Sequence, residues 1–266
     1  MISIERAIAY GPGPRERLDL YRPGVPGPVI VYLYGGSWQS GRREIYRFLG
    51  ASLARRGFLT IIPDYRVYPE VRFPAFPEDA GRILRFVRER AAGWGGDPNR
   101  IFLIGHSAGA HSAALVAFET LRYGAPPLAG VVAIAGPMSF NPLEHDNVRA
   151  VFEGYSPIDD ARPIKRVHGR APPLLLLHGR ADKTVDAHNS EHLAAAIAAA
   201  GGNAELKLYP GLGHVGIIAS IAWPLRWRAP VLTDIVRFLA RPAGEAVHGS
   251  IVRGEAPLHG LRSNPA

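Results

Sequence analysis

A chain of 266 residues, 47% of them hydrophobic, is long enough to bury a full core as one large domain or two small ones. Zero cysteines exclude disulfides, thiolate catalysis and cysteine metal sites, and fit either redox compartment. The formal net charge of +8 comes from scattered arginines, with Lys165, Lys183 and Lys207 the only lysines; no basic run or aromatic platform accompanies it, which argues against nucleic acid as a partner.

The N-terminus, MISIERAIAYGPGPRER, carries Glu5 and Arg6 and lacks the apolar core of a secretory signal. The longest apolar run, PLLLLH (173–178), is strand-sized, so no membrane span is expected and the cytoplasm is the expected compartment. Along the chain, short apolar runs alternate with longer helical stretches, the pattern of an α/β protein on a mainly parallel sheet.

RLDLYR (17–22) and VIVYLY (29–34) read as the first strands. The second runs straight into GGSWQSG, where Gly35 and Gly36 let backbone N–H groups approach a ligand atom and Trp38 buttresses the loop or borders a pocket. A bare turn explains the two glycines equally well. A helix over 44–57, a strand FLTIIP (58–63) and a helix over 76–95 follow. Strand RIFLIG (100–105) then leads through GHSAGA (105–110) into a helix over 107–124. A G-x-S-x-G alone is weak evidence, but between a strand and a helix its glycines permit a strained turn that lifts Ser107 above the sheet edge. The N–H of Ala108 and the positive helix end then face the place where an oxyanion forms. Ser107 as a plain N-cap is the structural alternative.

GVVAIAG (130–136) is the next strand. Segment 137–173 is long and irregular, and reads as a wall or small lid with a short helix near 148–155. Strand PLLLLHG (173–179), a helix over 187–202, strand AELKLYP (204–210) and a helix near 231–240 complete one domain over 1–240. Gly57, Gly124 and Gly201 sit where helices stop. The tail 241–266 lacks period, is rich in proline and glycine, and reads as a loose or surface-draped extension.

A serine hydroxyl needs a base, and the base an orienting acid, both drawn from loops at the C-terminal ends of later strands. RADKTVDAH supplies Asp182; Asp186, one turn on, reads instead as an acid at a helix N-terminus. GLGHVG, in the loop past strand 204–210, supplies His214. The chain order Ser107, Asp182, His214 is that of an α/β-hydrolase triad. Strand 29–34 beside the elbow strand places the N–H groups of Gly35 and Gly36, with Ser37, across the reacting carbonyl from Ala108. His106, next to the nucleophile, is assigned to packing or to the pocket wall with Ser37 and Trp38. His111 reads as packed within its helix and His178 as a hydrogen-bonded core residue. His145, His168, His188, His192, His248 and His259 fall on loops, helix surfaces or the tail. The pair His188 and His192 lacks the order and third ligand of a zinc site, so neither a metal nor a cofactor is expected.

The motifs YGGSW, GHSAGA, HGRADKTV and YPGLGH, with IIPDYRVYPEVRFPAFPEDA (61–80), resemble the α/β-hydrolase superfamily over Leu18 to Ala240. The similarity is to the esterase branch related to hormone-sensitive lipase, the BD-FAE-like esterases and the kynurenine formamidases. It implies a mainly parallel eight-stranded sheet flanked by helices, with little or no cap domain. It also implies a serine carboxylesterase acting on small esters, an arylformamidase or other amidase being the alternative; a homodimer is an admissible assembly. A non-catalytic binding protein on this fold is disfavoured because all three triad positions are filled. Asp64, Arg66 and Asp79 fall in the branch's D-Y-R stretch as structural groups. One departure stands out: such relatives begin the oxyanion loop H-G-G-x-W, and here Tyr34 holds the histidine's place.

Overall fold

Runs such as LTIIP and GVVAI are buried at every position, as strands covered on both faces must be. The computed structural model describes residues 1–241 and 251–253. Its strands are β1 (Ser3–Ala9), β2 (Arg17–Arg22), β3 (Gly27–Leu33), β4 (Leu59–Pro63), β5 (Gly96–His106), β6 (Gly130–Ile134), β7 (Leu174–Gly179), β8 (Ala204–Tyr209) and β9 (Ile251–Arg253). They form one sheet in the order β1-β2-β4-β3-β5-β6-β7-β8-β9. Pairing is antiparallel at β1/β2 and β2/β4 and parallel from β4 onward.

The eight-stranded, mainly parallel sheet of the expectation is β1 to β8. β1 escapes a pattern search because SIERAIA is exposed at almost every position; pairing with β2, rather than apolar alternation, makes it a strand. β9 extends the sheet beside Leu206–Leu208 and comes from the stretch expected to be a loose tail. The rest of that tail, 242–250 and 254–266 with His248 and His259, lies outside the described residues.

Among the described residues, seven α-helices accompany the sheet: α1 (Arg47–Ala54), α2 (Ala75–Arg90), α3 (Ala108–Phe118), α4 (Asp146–Phe152), α5 (His188–Ala199), α6 (His214–Ala219) and α7 (Val231–Leu239). In α2, Phe76, Ala80, Ile83, Leu84 and Val87 are buried on one stripe, which packs on α3. α3 carries no such stripe: AGAHSAALVAF is buried on every side, pressed between α2 and strands β5 and β6. It stops at Phe118, short of the expected end at 124, because Glu119 to Gly124 unwind into turns closed by Gly124 at φ 59°.

The reversal of order at β3 and β4 makes β3 and β5 neighbours, with Leu33 opposite Gly105. Their carboxyl ends therefore open side by side, the usual place for a site in such sheets. Above them runs 137–173, which folds into α4 and three short 3-10 turns. Phe152 of α4 stacks on Phe73 at 5.3 Å and meets Trp38 edge-on at 4.9 Å, and Phe73 N–H donates to the Val151 carbonyl. These contacts hold the segment against the core.

Candidate active site

β5 ends at His106 and α3 begins at Ala108, so Ser107 turns the chain alone, at φ 55° and ψ −121°. Such a conformation is strained for a residue with a Cβ and survives only where the surroundings enforce it. They do so through backbone. A Cβ on Gly109 would lie 2.2 Å from the Leu33 carbonyl oxygen, so α3 presses directly on the end of β3. The Ser107 hydroxyl makes no capping bond to its own helix, which disposes of the N-cap alternative.

The three distant side chains meet. His214 Nε2 is 2.8 Å from Ser107 Oγ, and His214 Nδ1 is 2.7 Å from Asp182 Oδ2. Because a carboxylate only accepts, Nδ1 carries the proton and Nε2 offers its lone pair to the serine hydroxyl. His214 is the first residue of α6, not a loop residue; Gly213 in extended conformation ends the short loop and the helix starts at once. Asp182 follows β7, as expected. Burial works against its charge, but hydrogen bonds from His178, His214 and the Val185 and Thr184 amides outweigh that and hold the carboxyl well below the usual carboxylate range. Asp186 stands outside the relay, accepting from the backbone and ring of His188, and lines the same cavity as Ser107.

Two histidines act behind this relay. His178 is fully buried, its Nδ1 2.7 Å from Ser190 Oγ, with Nε2 donating to the Val185 carbonyl at 2.9 Å and lying 3.4 Å from Asp182 Oδ2. The expected core histidine thus also steadies the Asp182 carboxylate, a contact that shows only once the loop is closed. Of its two expected places, packing and the pocket wall, His106 takes the first and is absent from the cavity lining. It lies beneath the His214 ring, centroids 4.8 Å apart, and its Nε2–H donates to the His214 carbonyl at 3.0 Å. Burial above all, then the neighbouring His214, pushes its pKa down to about 3, so the ring is neutral. Nδ1 is buried without a partner among the described residues.

The loop after β3 shows why the strand ends in bare backbone. A Cβ on Gly35 would sit 2.8 Å from the Ser107 Cβ and 3.0 Å from His106 Nδ1. Gly36, Ser37 and Trp38 all have positive φ, and the N–H groups of Gly36, Ser37 and Ala108 find no acceptor among the described residues. A cavity of about 370 Å³ opens in front of Ser107 and Ala108, with Ser37, Trp38, Phe140 and Val185 among its walls and Asn147, Lys183 and Asn189 at polar positions. Trp38 both borders this cavity and braces it, lying parallel to Phe140 at 5.9 Å and edge-on to His111 at 5.0 Å. His111 is packed as expected, bonded to the Ala161 carbonyl.

Residues 18–197 match the family described as BD-FAE. The chain belongs to the BD-FAE family. This BD-FAE chain is 32% identical over 262 residues to isoprenylcysteine alpha-carbonyl methylesterase of Arabidopsis thaliana, covering 87% of its own length and 60% of that protein. It is 33% identical over 221 residues to esterase LipQ of Mycobacterium tuberculosis, covering 73% and 52%. It therefore spans three fifths or less of the length of these two relatives. A thermophilic esterase of Thermogutta terrifontis has a similar structure, with a TM-score of 0.71 and 26% identity over 91% of this chain and 95% of that one.

In this BD-FAE member Tyr34 anchors the glycine loop from below. Its hydroxyl donates to Asp64 Oδ1 at 2.8 Å and accepts from Arg15 at 3.0 Å, while its carbonyl accepts from the Tyr65 hydroxyl at 2.7 Å. Asp64 also receives the side chain and backbone N–H of Arg43. Arg15 reaches on to the Gly41 carbonyl at 2.7 Å, closing the far end of the loop. Arg66 binds the fully buried Asp79 through two nitrogens. Asp64, Arg66 and Asp79 are thus structural groups, as the resemblance implies.

Proposed function

We propose that this protein is a serine carboxylesterase. The observation that carries the reading is the unbroken relay from Ser107 Oγ to His214 at 2.8 Å and from His214 to Asp182 at 2.7 Å, opening on a walled cavity. Ser107 Oγ attacks the ester carbonyl carbon as its proton passes to His214 Nε2, and Asp182 stabilises the imidazolium that forms. The resulting oxyanion is met by the N–H groups of Ala108, Gly36 and Ser37, each worth on the order of 3 kcal/mol in the transition state. Gly35, expected as a donor beside Gly36, belongs to the same proposed set, and its missing side chain also lets Ser107 sit against the loop. Collapse expels the alcohol, which takes the proton from His214. A water deprotonated by the same nitrogen then attacks the acyl carbon and frees the acid and the serine.

The esterase names among similar proteins favour an ester over a formamide as substrate. Hydrolysis of short and medium p-nitrophenyl esters by the native protein and by Ser107→Ala tests the reading. The variant is expected to lose at least about 10³-fold in kcat with an unchanged melting temperature; undiminished activity rejects the nucleophile. Faster turnover of N-formylkynurenine than of any ester in the same assay would instead make the enzyme a formamidase. Residence in the cytoplasm and assembly as a homodimer belong to the same proposal. Cell fractionation and sedimentation velocity check them. Among the described residues no helix is long and apolar enough to cross a membrane.

A further inference from the structure

Trp223 and Trp227 are 80% and 81% exposed, on the 3-10 turn Trp223–Arg228 that follows α6, and Val215, next to the catalytic imidazole, is 70% exposed. Large indoles left in water cost free energy unless something covers them. The charge around them indicates what. From Leu206 to Thr233 the sequence holds no acidic residue, and neither does Ile45 to Pro63. These two segments are joined: Arg226 donates to Ser52 Oγ of α1 at 2.8 Å, and Arg56 donates to the Ser52 carbonyl at 2.9 Å. Arg55, Arg56 and Arg226 gather there, Arg228 lies on the same 3-10 turn near Gly216, and none of the four has a carboxylate within ion-pair distance among the described residues. The guanidinium of Arg226 lies 5.7 Å from the centre of the Trp223 ring.

We propose that this face docks on an anionic lipid surface. Exposed indoles seat themselves at the level of lipid headgroups, with the apolar ring body inward and the N–H toward water. Unpaired arginines beside them are drawn to anionic headgroups, and their apolar stems lie along the layer. A second copy of the chain fits less well, because a two-fold contact sets the same patch against itself and brings arginine to arginine. A nucleic acid strand fits less well too, since Val215 and Pro224 add apolar surface without a groove to follow a phosphate backbone. The argument stands apart from the esterase reading. If both hold, the lipid layer lies beside the helix that begins with His214, and esters dissolved in that layer are the substrates closest at hand.

The test is co-sedimentation of the full chain with phosphatidylcholine vesicles, with and without an equal part of phosphatidylglycerol. The native protein is expected to pellet with the anionic vesicles, with a blue-shifted tryptophan emission, and to be released by high salt. Trp223→Ser with Trp227→Ser, and separately Arg55→Glu with Arg228→Glu, should each weaken that binding at least about tenfold while leaving the melting temperature in place. The proposal is overturned if the native protein stays in solution with both vesicle types, or if the tryptophan pair changes nothing. It is also overturned if the substitutions alter only self-association or the retention of a single-stranded oligonucleotide.

Discussion

Ser107 stands between walls of backbone, with the Leu33 and Tyr34 carbonyls against α3 on one side and Gly35 against its Cβ on the other. His214 stands at the tip of a six-residue helix, held by separate hydrogen bonds: one from His106 to its carbonyl and one from its own ring to Asp182. The two halves of one relay are therefore secured differently. Backbone packing has no partial form, so the nucleophile side is either built or lost. Discrete bonds can be removed singly, so the base side degrades in steps. Substitutions on each side can break or sharpen that contrast.

The largest effect on chemistry is expected from Asp182→Asn. Its Oδ1 must still accept the Thr184 and Val185 amides at 2.8 and 3.0 Å, which turns the new NH2 toward His214 Nδ1 and forces the wrong tautomer. kcat should fall about 10⁴-fold with the fold intact. Next, Gly109→Ala drives a methyl against two backbone carbonyls, at 2.2 and 2.5 Å. About 3 kcal/mol of lost stability, or roughly 10 °C in melting temperature, is expected; a native-like melt would refute the idea of a backbone wall. Tyr34→Phe leaves Asp64 paired with Arg43 but strips it and Arg15 of a partner, for about 2 kcal/mol by urea unfolding. Smallest in this series is His106→Leu, expected to lower kcat about tenfold with KM unchanged by freeing the His214 carbonyl. His106→Gln, which can donate in the same place, should restore most of it, whereas a merely space-filling histidine would be rescued better by leucine.

Much of this was legible beforehand because it follows from local pattern. GHSAGA between a strand and a helix, and Asp182 and His214 each just past a strand, are short-range signals that the parallel sheet converts into one site. What stayed hidden depends on contacts between distant segments. His106 and Ser107 are neighbours in sequence, yet only the approach of α6 shows that His106 packs under the His214 ring and bonds to its carbonyl instead of lining the cavity. Gly35 reads only as a donor, and that its missing side chain also lets Ser107 and His106 approach shows only when these distant segments meet. The replacement of histidine by Tyr34 looked like a departure from pattern. Arg15 and Asp64, 19 and 30 positions away, give that tyrosine its partners. β1 carries no periodic signal, since pairing with β2 rather than burial makes it a strand, and β9 is only three residues long.

Acid pH offers a last way to sharpen the comparison, through His111 in the helix that carries the nucleophile. It is enclosed by Trp38, Phe73, Phe140 and Phe152, with the Ala161 carbonyl as its polar partner. Burial pushes its pKa down to about 4, so the folded protein keeps it neutral while the unfolded chain takes up a proton below about 6.5. Between those values the unfolded state binds more protons, so stability falls as pH falls, by about 1.4 kcal/mol for each pH unit from this ring alone. Asp182 does not mask the effect: its depressed pKa contributes stability that is lost only below the ordinary carboxylate range. His111→Phe removes the titration but also the bond to Ala161. The variant should be about 1 kcal/mol less stable than the native protein at pH 7.5 and should lose less on going to pH 5, by urea unfolding at each pH. Equal pH slopes for the two proteins would mean that the fold already accommodates a charged ring beside the nucleophile helix, and that this side is wetter than its packing implies.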